Sequence, residues 1–311
     1  MEHINAVTFA PFCAKGTFEK EEARQSLALL KEKTAANYVI FAPNGMQKTA
    51  FSEDIDYHTD RNVTDEELIT MIAYAKNLGL KVALKPTANC MDGTWRAHIN
   101  FFDEDVVCEP KWRNWFASYR AFQEHYAALA QKTGVDLFIA GCEMVQTERR
   151  EEEWREVIAA IRKKYEGPVS YNTDKYQEHN VKWWDALDLI SSSGYYPIDD
   201  WENQLDRIEK VVKKYKKPFF FAEAGCMSVE GSNQVPNDWG VQGAYDEKGQ
   251  ADWFTAMFAA CEKRDWVKGY GVWEWAAYHG NGEHPQKKGD YEVYAKPAMD
   301  VIYRKYSQDL Q

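Results

Sequence analysis

Short uninterrupted apolar runs alternate along the chain with longer segments whose apolar residues recur at helical spacing. The first run, Ile4 to Ala10, is bounded by Pro11 and reads as a strand buried on both faces. Glu19 to Thr34, with Ala23, Leu27 and Leu30 in helical register, reads as the helix that follows, and Asn37 to Pro43 as the second strand. Thr64-Asp65-Glu66-Glu67 has the spacing of a capping box, so a helix opens there, runs to Leu78 and ends at Gly79. Lys81 to Thr87 is the third strand.

The alternation continues. Predicted strands are Asp136 to Gly141, Pro168 to Asn172, Asp188 to Ser193, Pro218 to Glu223 and Gly269 to Trp275. Predicted helices are Lys111 to Lys132, Glu151 to Tyr165, a short one near Val181 to Ala186, Trp201 to Lys216, Gln250 to Lys263 and Lys296 to Tyr306. Eight strand-then-helix units predict an α/β fold, a single (β/α)8 TIM barrel occupying residues 1 to 311 as one catalytic domain. A dinucleotide-binding sheet needs a glycine-rich turn after its first strand, and here the chain reads Pro11-Phe12-Cys13-Ala14-Lys15-Gly16.

Composition narrows the function classes. A formal net charge of -11, with no basic face, excludes a polyanionic partner such as nucleic acid. No apolar run spans a bilayer, and Met1 to Phe12 lacks the basic start and apolar stretch of a signal peptide, so the expectation is a cytoplasmic protein, monomeric or weakly oligomeric. A chain from which a leader had been removed would read the same. Six cysteines, Cys13, Cys90, Cys108, Cys142, Cys226 and Cys261, form no CxxC pair, and the histidines form no HxH or HExxH. His279 and His284 share a polar loop without strand support, so neither metal nor cofactor is expected. Aromatic residues make up 14% of the chain, with 12 Trp. That is more than core filling requires, and flat rings suit the C–H faces of sugars.

In a barrel the chemistry sits where strands end and the following loops begin. The polar or aromatic residues there are Phe12, Asn44, Lys85, Asn89, Glu143, Asn172, Asp174, Tyr195, Tyr196, Glu223, Trp273 and Trp275. Glu143 and Glu223 end strongly apolar strands, where a carboxylate is costly unless it is paired or used. Glycoside hydrolysis uses such a pair, one carboxyl protonated as general acid and the other ionised as nucleophile. A separation of about 5–5.5 Å gives retention of configuration and about 6.5–9.5 Å gives inversion; the short distance is predicted.

This placement resembles clan A of the glycoside hydrolases, in which the acid/base ends the fourth strand, the nucleophile the seventh, and a Trp the eighth. Asn44-Gly45-Met46-Gln47, the segment Asp60 to Leu68, the KVALKPT strand, Gly141-Cys142-Glu143-Met144, Gly194-Tyr195-Tyr196-Pro197 and Ala222-Glu223-Ala224-Gly225 together look like family 113, the β-mannanases. The resemblance covers essentially the whole chain. It implies a retaining enzyme that acts on mannan or β-linked mannooligosaccharides, with Glu143 as acid/base, Glu223 as nucleophile, and Tyr196 or Tyr195 as the phenol supporting Glu223. Trp273 and Trp275 are expected on one face of the eighth strand, at least one of them as a platform for the attacked sugar, with Glu274 pointing away. Asn44, Lys85, Asn89, Asn172 and Asp174 are candidates for sugar hydroxyls, and Trp239 for a wall of the cleft in the loop Met227 to Tyr245. Cys142 stands where most clan members carry an Asn that holds the sugar 2-hydroxyl. The alternatives are a clan A β-1,4-glucanase or β-glucosidase and, more distantly, a Schiff-base aldolase using Lys85.

Overall fold

A computed structural model describes residues 2–279 and 288–309, so His284 lies outside the described residues. Chain order is β1 (Ile4–Phe9), α1 (Glu21–Thr34), β2 (Tyr38–Phe41), β3 (Asn44–Gln47), α2 (Asp65–Asn77), β4 (Lys81–Leu84), β5 (Thr87–Cys90), α3 (Trp112–Thr133), β6 (Leu137–Cys142) and α4 (Glu151–Arg162). It continues through β7 (Val169–Thr173), β8 (Ile190–Ser193), α5 (Trp201–Tyr215), β9 (Phe219–Ala224), α6 (Glu247–Cys261), β10 (Val267–Trp275) and α7 (Pro297–Asp309). Eight of the strands close a parallel barrel in the order β1-β10-β9-β8-β7-β6-β4-β2. The predicted capping box of α2 forms, with Thr64 and Glu67 exchanging side-chain and backbone hydrogen bonds. The short helix expected near Val181 to Ala186 contracts to one 3-10 turn, Trp184–Ala186.

Two-residue alternation divides the core. Ile4, Ala6, Tyr38, Ile40, Ala83, Leu137, Ile139, Phe220 and Ala222 fill the barrel interior. Their neighbours Val7, Val39, Val82, Phe138, Phe219 and Phe221 face the helices. Most tryptophans belong to that outer layer: Trp115, Trp154, Trp183, Trp184, Trp201, Trp253 and Trp275 are fully buried. Trp154 and Trp183 stack with ring centroids 4.7 Å apart. The high aromatic content therefore serves packing first, and only Trp95, Trp239 and Trp273 line the principal cavity.

One departure from the sequence reading shapes the barrel mouth. Lys81 to Thr87 is not one strand: Pro86, which lacks a backbone donor, ends the barrel ladder after Leu84, as Pro43 does after Phe41. Beyond each proline the chain resumes as β3 and β5, which pair in parallel outside the barrel from Asn44 opposite Thr87 to Gln47 opposite Cys90. That ribbon carries Asn44 and Asn89 to the mouth.

Register shifts at the carboxyl ends of three barrel strands set the site itself. On β6 the pairing with β7 slips between Ile139 and Cys142, around Gly141 at φ +98°. A Cβ on Gly141 would lie 2.0 Å from the Tyr119 hydroxyl, so only glycine fits this bend. On β9 the pairing with β8 slips between Phe221 and Glu223, and on β10 the pairing with β1 slips between Val272 and Trp275. Each shift breaks the two-residue alternation and re-aims the side chains that follow it. No helix among the described residues is long and apolar enough to cross a membrane.

Candidate active site

A cavity of about 1100 Å³ opens at the carboxyl ends of the barrel strands. Glu143 and Glu223 both line it, one at the end of β6 and the other on β9, with β7 and β8 between them. One carboxylate oxygen of each lies within 4.8 Å of the other and of the Cys142 sulfur. That places the pair at the short end of the two separations, as predicted.

Glu223 is held from three sides. Lys85 forms a fully buried ion pair with Oε1, the Cys142 thiol donates to the same oxygen at 3.1 Å, and the Tyr195 hydroxyl donates to Oε2 at 3.0 Å. Burial pushes this carboxyl up, but the positive charges of Lys85 and Arg96, with the hydrogen bonds from Lys85 and Cys142, hold it below the ordinary carboxylate value. Glu223 is therefore ionised at neutral pH, as a nucleophile must be. Burial lifts the Cys142 thiol well above its ordinary value, with the Glu223 charge adding to the effect, so Cys142 stays a protonated donor.

Glu143 has a different environment. Its backbone lies in the left-handed region at φ +52°, fixed by a hydrogen bond from its N–H to the Asn172 carbonyl at 2.7 Å. Ser193 donates to Oε1 at 2.7 Å, and Trp95 and Arg96 donate to Oε2 at 3.1 and 3.4 Å. Asp174 lines the cavity nearby. Burial and the Glu143 charge push its carboxyl up to about 7, against the opposing pull of Lys175.

Several sequence expectations need correction. Tyr196 does not support the nucleophile: it is fully buried, and its hydroxyl donates to Glu178 at 2.7 Å and accepts from Arg207. Tyr195 holds that place. Trp275 is not a sugar platform, because the register shift after Val272 turns it outward, where its Nε1 donates to Ser26 of α1 at 3.0 Å. The same shift brings Glu274 to the cavity beside Trp273 instead of toward the helices. Asn172 is fully buried, accepting from Lys85 and donating to Ser193 at 3.0 Å, so it braces the site from below and is not among the residues lining the cavity. Lys85 serves as the counter-ion of Glu223.

Asn44, Asn89, Asp174, Trp239 and Trp273 line the cavity as expected. Asn89 donates to Asn44 at 3.0 Å and accepts from Arg96 at 3.0 Å. Trp239 is 66% exposed and meets the edge of Trp95 with centroids 6.2 Å apart, so the loop after β9 does reach the cleft.

The sequence reading missed Trp95, Arg96 and Ser193. Trp95 and Arg96 lie in the loop after β5, a strand that reading Lys81 to Thr87 as one piece hides. The available signal for Ser193 was the run Ser191-Ser192-Ser193, a polar end to a barrel strand. Cys142, Glu143 and Glu223 bring three metal-type donors together, but Lys85 and Arg96 already supply the positive charge there. The same ion pair makes Lys85 the partner of a carboxylate, where an aldolase would need its amine free.

The chain matches the model of Glycoside Hydrolase Family 113 over residues 7–296. It is 55% identical to a solved GH113 β-1,4-mannanase, with a TM-score of 0.97 and 99% of each chain covered. It is 41% identical to the GH113 β-mannanase AaManA from Alicyclobacillus acidocaldarius, solved in complex with ManMIm, with a TM-score of 0.95 over 99% of this chain and 98% of that one. A β-glucuronidase from Ruminococcus gnavus shares the fold at 14% identity and a TM-score of 0.66, covering 98% of this chain and 50% of that one. No match was found among curated protein sequences.

Proposed function

The chain belongs to glycoside hydrolase family 113, and on that premise we propose that Glu143 and Glu223 carry out retaining cleavage of β-1,4-mannosidic linkages, in mannan or mannooligosaccharides, by double displacement. The observation that carries this reading is the pair of carboxylate oxygens within 4.8 Å across the barrel mouth. Kinship with enzymes described as β-1,4-mannanases and β-mannanases supports the substrate class.

Each group has one task. Glu223, kept ionised by Lys85, Tyr195 and Cys142, attacks the anomeric carbon as Glu143 gives its proton to the departing glycosidic oxygen. The bond to the leaving sugar breaks and an ester to Glu223 forms. Forming the ester neutralises Glu223 and removes the negative charge opposite Glu143, which then takes a proton from water. That water attacks the same carbon, the ester breaks, and the configuration is restored. Trp273, at the end of β10, supplies an apolar face for the sugar under attack, and Trp239 and Trp95 extend an aromatic wall. The six cysteines are free thiols, as a reducing compartment keeps them, which supports a cytoplasmic location and hence short oligosaccharides as substrate.

Incubation with β-1,4-mannohexaose and cellohexaose, followed by NMR of the first products, tests the reading. We expect β-anomeric products from mannohexaose alone, and none from Glu223→Ala or Glu143→Ala. Cleavage of cellohexaose instead would transfer the same carboxylate pair to a β-1,4-glucanase, and activity surviving Glu223→Ala would remove the nucleophile assignment.

A further inference from the structure

We infer that Glu274 is a specificity-determining residue, whose carboxyl takes one hydroxyl of the sugar bound against Trp273. This deepens the proposed function and rests on it. Among the described residues, four carboxyls other than Glu274 line the cavity, and each has a partner. Glu143 and Glu223 are held as described, Asp174 faces Lys175 at 3.3 Å, and Asp238 accepts from the Gly240 N–H at 2.9 Å. Glu274 alone among them has no hydrogen bond or ion pair to its side chain within the described residues.

Its backbone is nevertheless fixed. The Glu274 N–H donates to the Tyr291 carbonyl at 3.4 Å, and its carbonyl accepts from the Val293 N–H at 3.3 Å, so the neighbouring segment clamps β10 where its register shifts. Tyr291, Trp273 and Glu223 line the same cavity, which places the Glu274 carboxyl at the subsite where the nucleophile acts. A half-buried carboxyl at the cavity wall, with no side-chain partner among the described residues, is costly unless a ligand supplies one.

The electrostatics fit a sugar hydroxyl better than a cation. Burial, with Glu292, Asp290 and Glu223 around it and only Lys288 opposing, pushes this carboxyl up to about 8. At neutral pH Glu274 therefore keeps its proton and can both donate and accept, which is the capacity a hydroxyl matches. The ligand class is a neutral hexose.

The test is a substrate cycle. Wild type, Glu274→Ala and Glu274→Gln are assayed on 4-nitrophenyl β-mannobioside and on its 2-, 3- and 6-deoxy analogues, altered in the mannose that bears the nitrophenyl group, whose 4-oxygen carries the second mannose. We expect Glu274→Ala to lower kcat/KM about 10- to 100-fold on the parent substrate, the range for leaving one buried hydrogen-bonding group without its partner. One deoxy analogue should show a similar loss in wild type and no further loss in Glu274→Ala, and Glu274→Gln should recover much of the activity. The melting temperature of both variants should hold or rise, because a carboxyl with no partner among the described residues has been removed. A wild-type kcat/KM in Glu274→Ala, or equal deoxy penalties in wild type and variant, would overturn the assignment while leaving the functional reading intact. A mannobioside left uncut by wild type would sink both.

Discussion

The Cys142 thiol donates to the Glu223 oxygen that Lys85 also holds, across 3.1 Å in a fully buried site. A position that most of the clan fills with an amide facing the substrate is turned here toward the nucleophile. The thiol is a weak donor, and Lys85 and Tyr195 remain when it is lost. Cys142→Ala should therefore lower kcat about 3- to 10-fold with little change in KM, a loss near the net worth of one ordinary hydrogen bond. A loss above about 100-fold in steady-state kinetics would show that Cys142 contacts the sugar as well.

Lys85→Met removes the buried counter-ion while leaving the carboxylate. Breaking a buried pair in this way costs about 3–5 kcal/mol, which denaturant titration at neutral pH should register. The pH dependence has a definite sign. Glu223 in the folded protein binds its proton less tightly than in the unfolded chain, so its contribution to stability is present above the ordinary carboxylate value near 4.5 and is lost as pH falls through the lower folded value. The unfolded chain titrates alike in both proteins, so the stability gap between wild type and Lys85→Met should shrink as the pH falls from the variant's higher Glu223 value toward the lower wild-type one. In the variant Arg96 and the Cys142 hydrogen bond oppose the effect of burial without the Lys85 charge, so the acidic limb of kcat/KM should move upward. An unmoved limb would show that Lys85 does not set the charge of the nucleophile.

The two adjacent tyrosines should separate cleanly. Tyr195→Phe deletes a hydrogen bond to the nucleophile and should cost about 10- to 100-fold in kcat, as for other donors to a charged catalytic group. Tyr196→Phe leaves the Glu178 and Arg207 pair without its phenol, and should cost about 1–3 kcal/mol of stability with kcat within a few-fold of wild type. Paired kinetics and thermal denaturation check both, and the reverse pattern would return Tyr196 to the site.

The barrel was legible because its strands are apolar on both faces and its helices are periodic, and both signals survive without any tertiary information. The two carboxylates were legible for the opposite reason, as charges at the ends of FIAG and FFFA that a dry core does not tolerate. What the sequence did not disclose depends on register. Strict alternation puts Trp273 and Trp275 on one face, and the shift after Val272 separates them and exposes Glu274 to the cavity. The break at Pro86 was visible as a proline, but the second ribbon beyond it, and with it Trp95 and Arg96, required the partner strand at Asn44–Gln47.

That separation yields the last prediction. Trp275 is fully buried, donates to Ser26 and meets Tyr294 edge-on with centroids 5.1 Å apart, whereas Trp273 faces the cavity and is approached by the exposed ring of Phe12 at 5.7 Å. Trp275→Phe removes packed volume and one hydrogen bond to Ser26, whose hydroxyl keeps Ala276 and His279 as partners, so it should lower stability by about 1–3 kcal/mol and leave kcat/KM within about 3-fold. Trp273→Ala removes no comparable core contact but deletes the face against which the attacked sugar rests. It should lower kcat/KM about 100-fold, equivalent to about 2.7 kcal/mol, with a melting temperature within about 3 °C of wild type. Measured side by side on mannohexaose, a large kinetic loss in Trp275→Phe with its melting temperature intact would mean that β10 presents both rings to the substrate after all. The assignment of Glu274 to the cavity would then fall with it, because both placements depend on the same register shift.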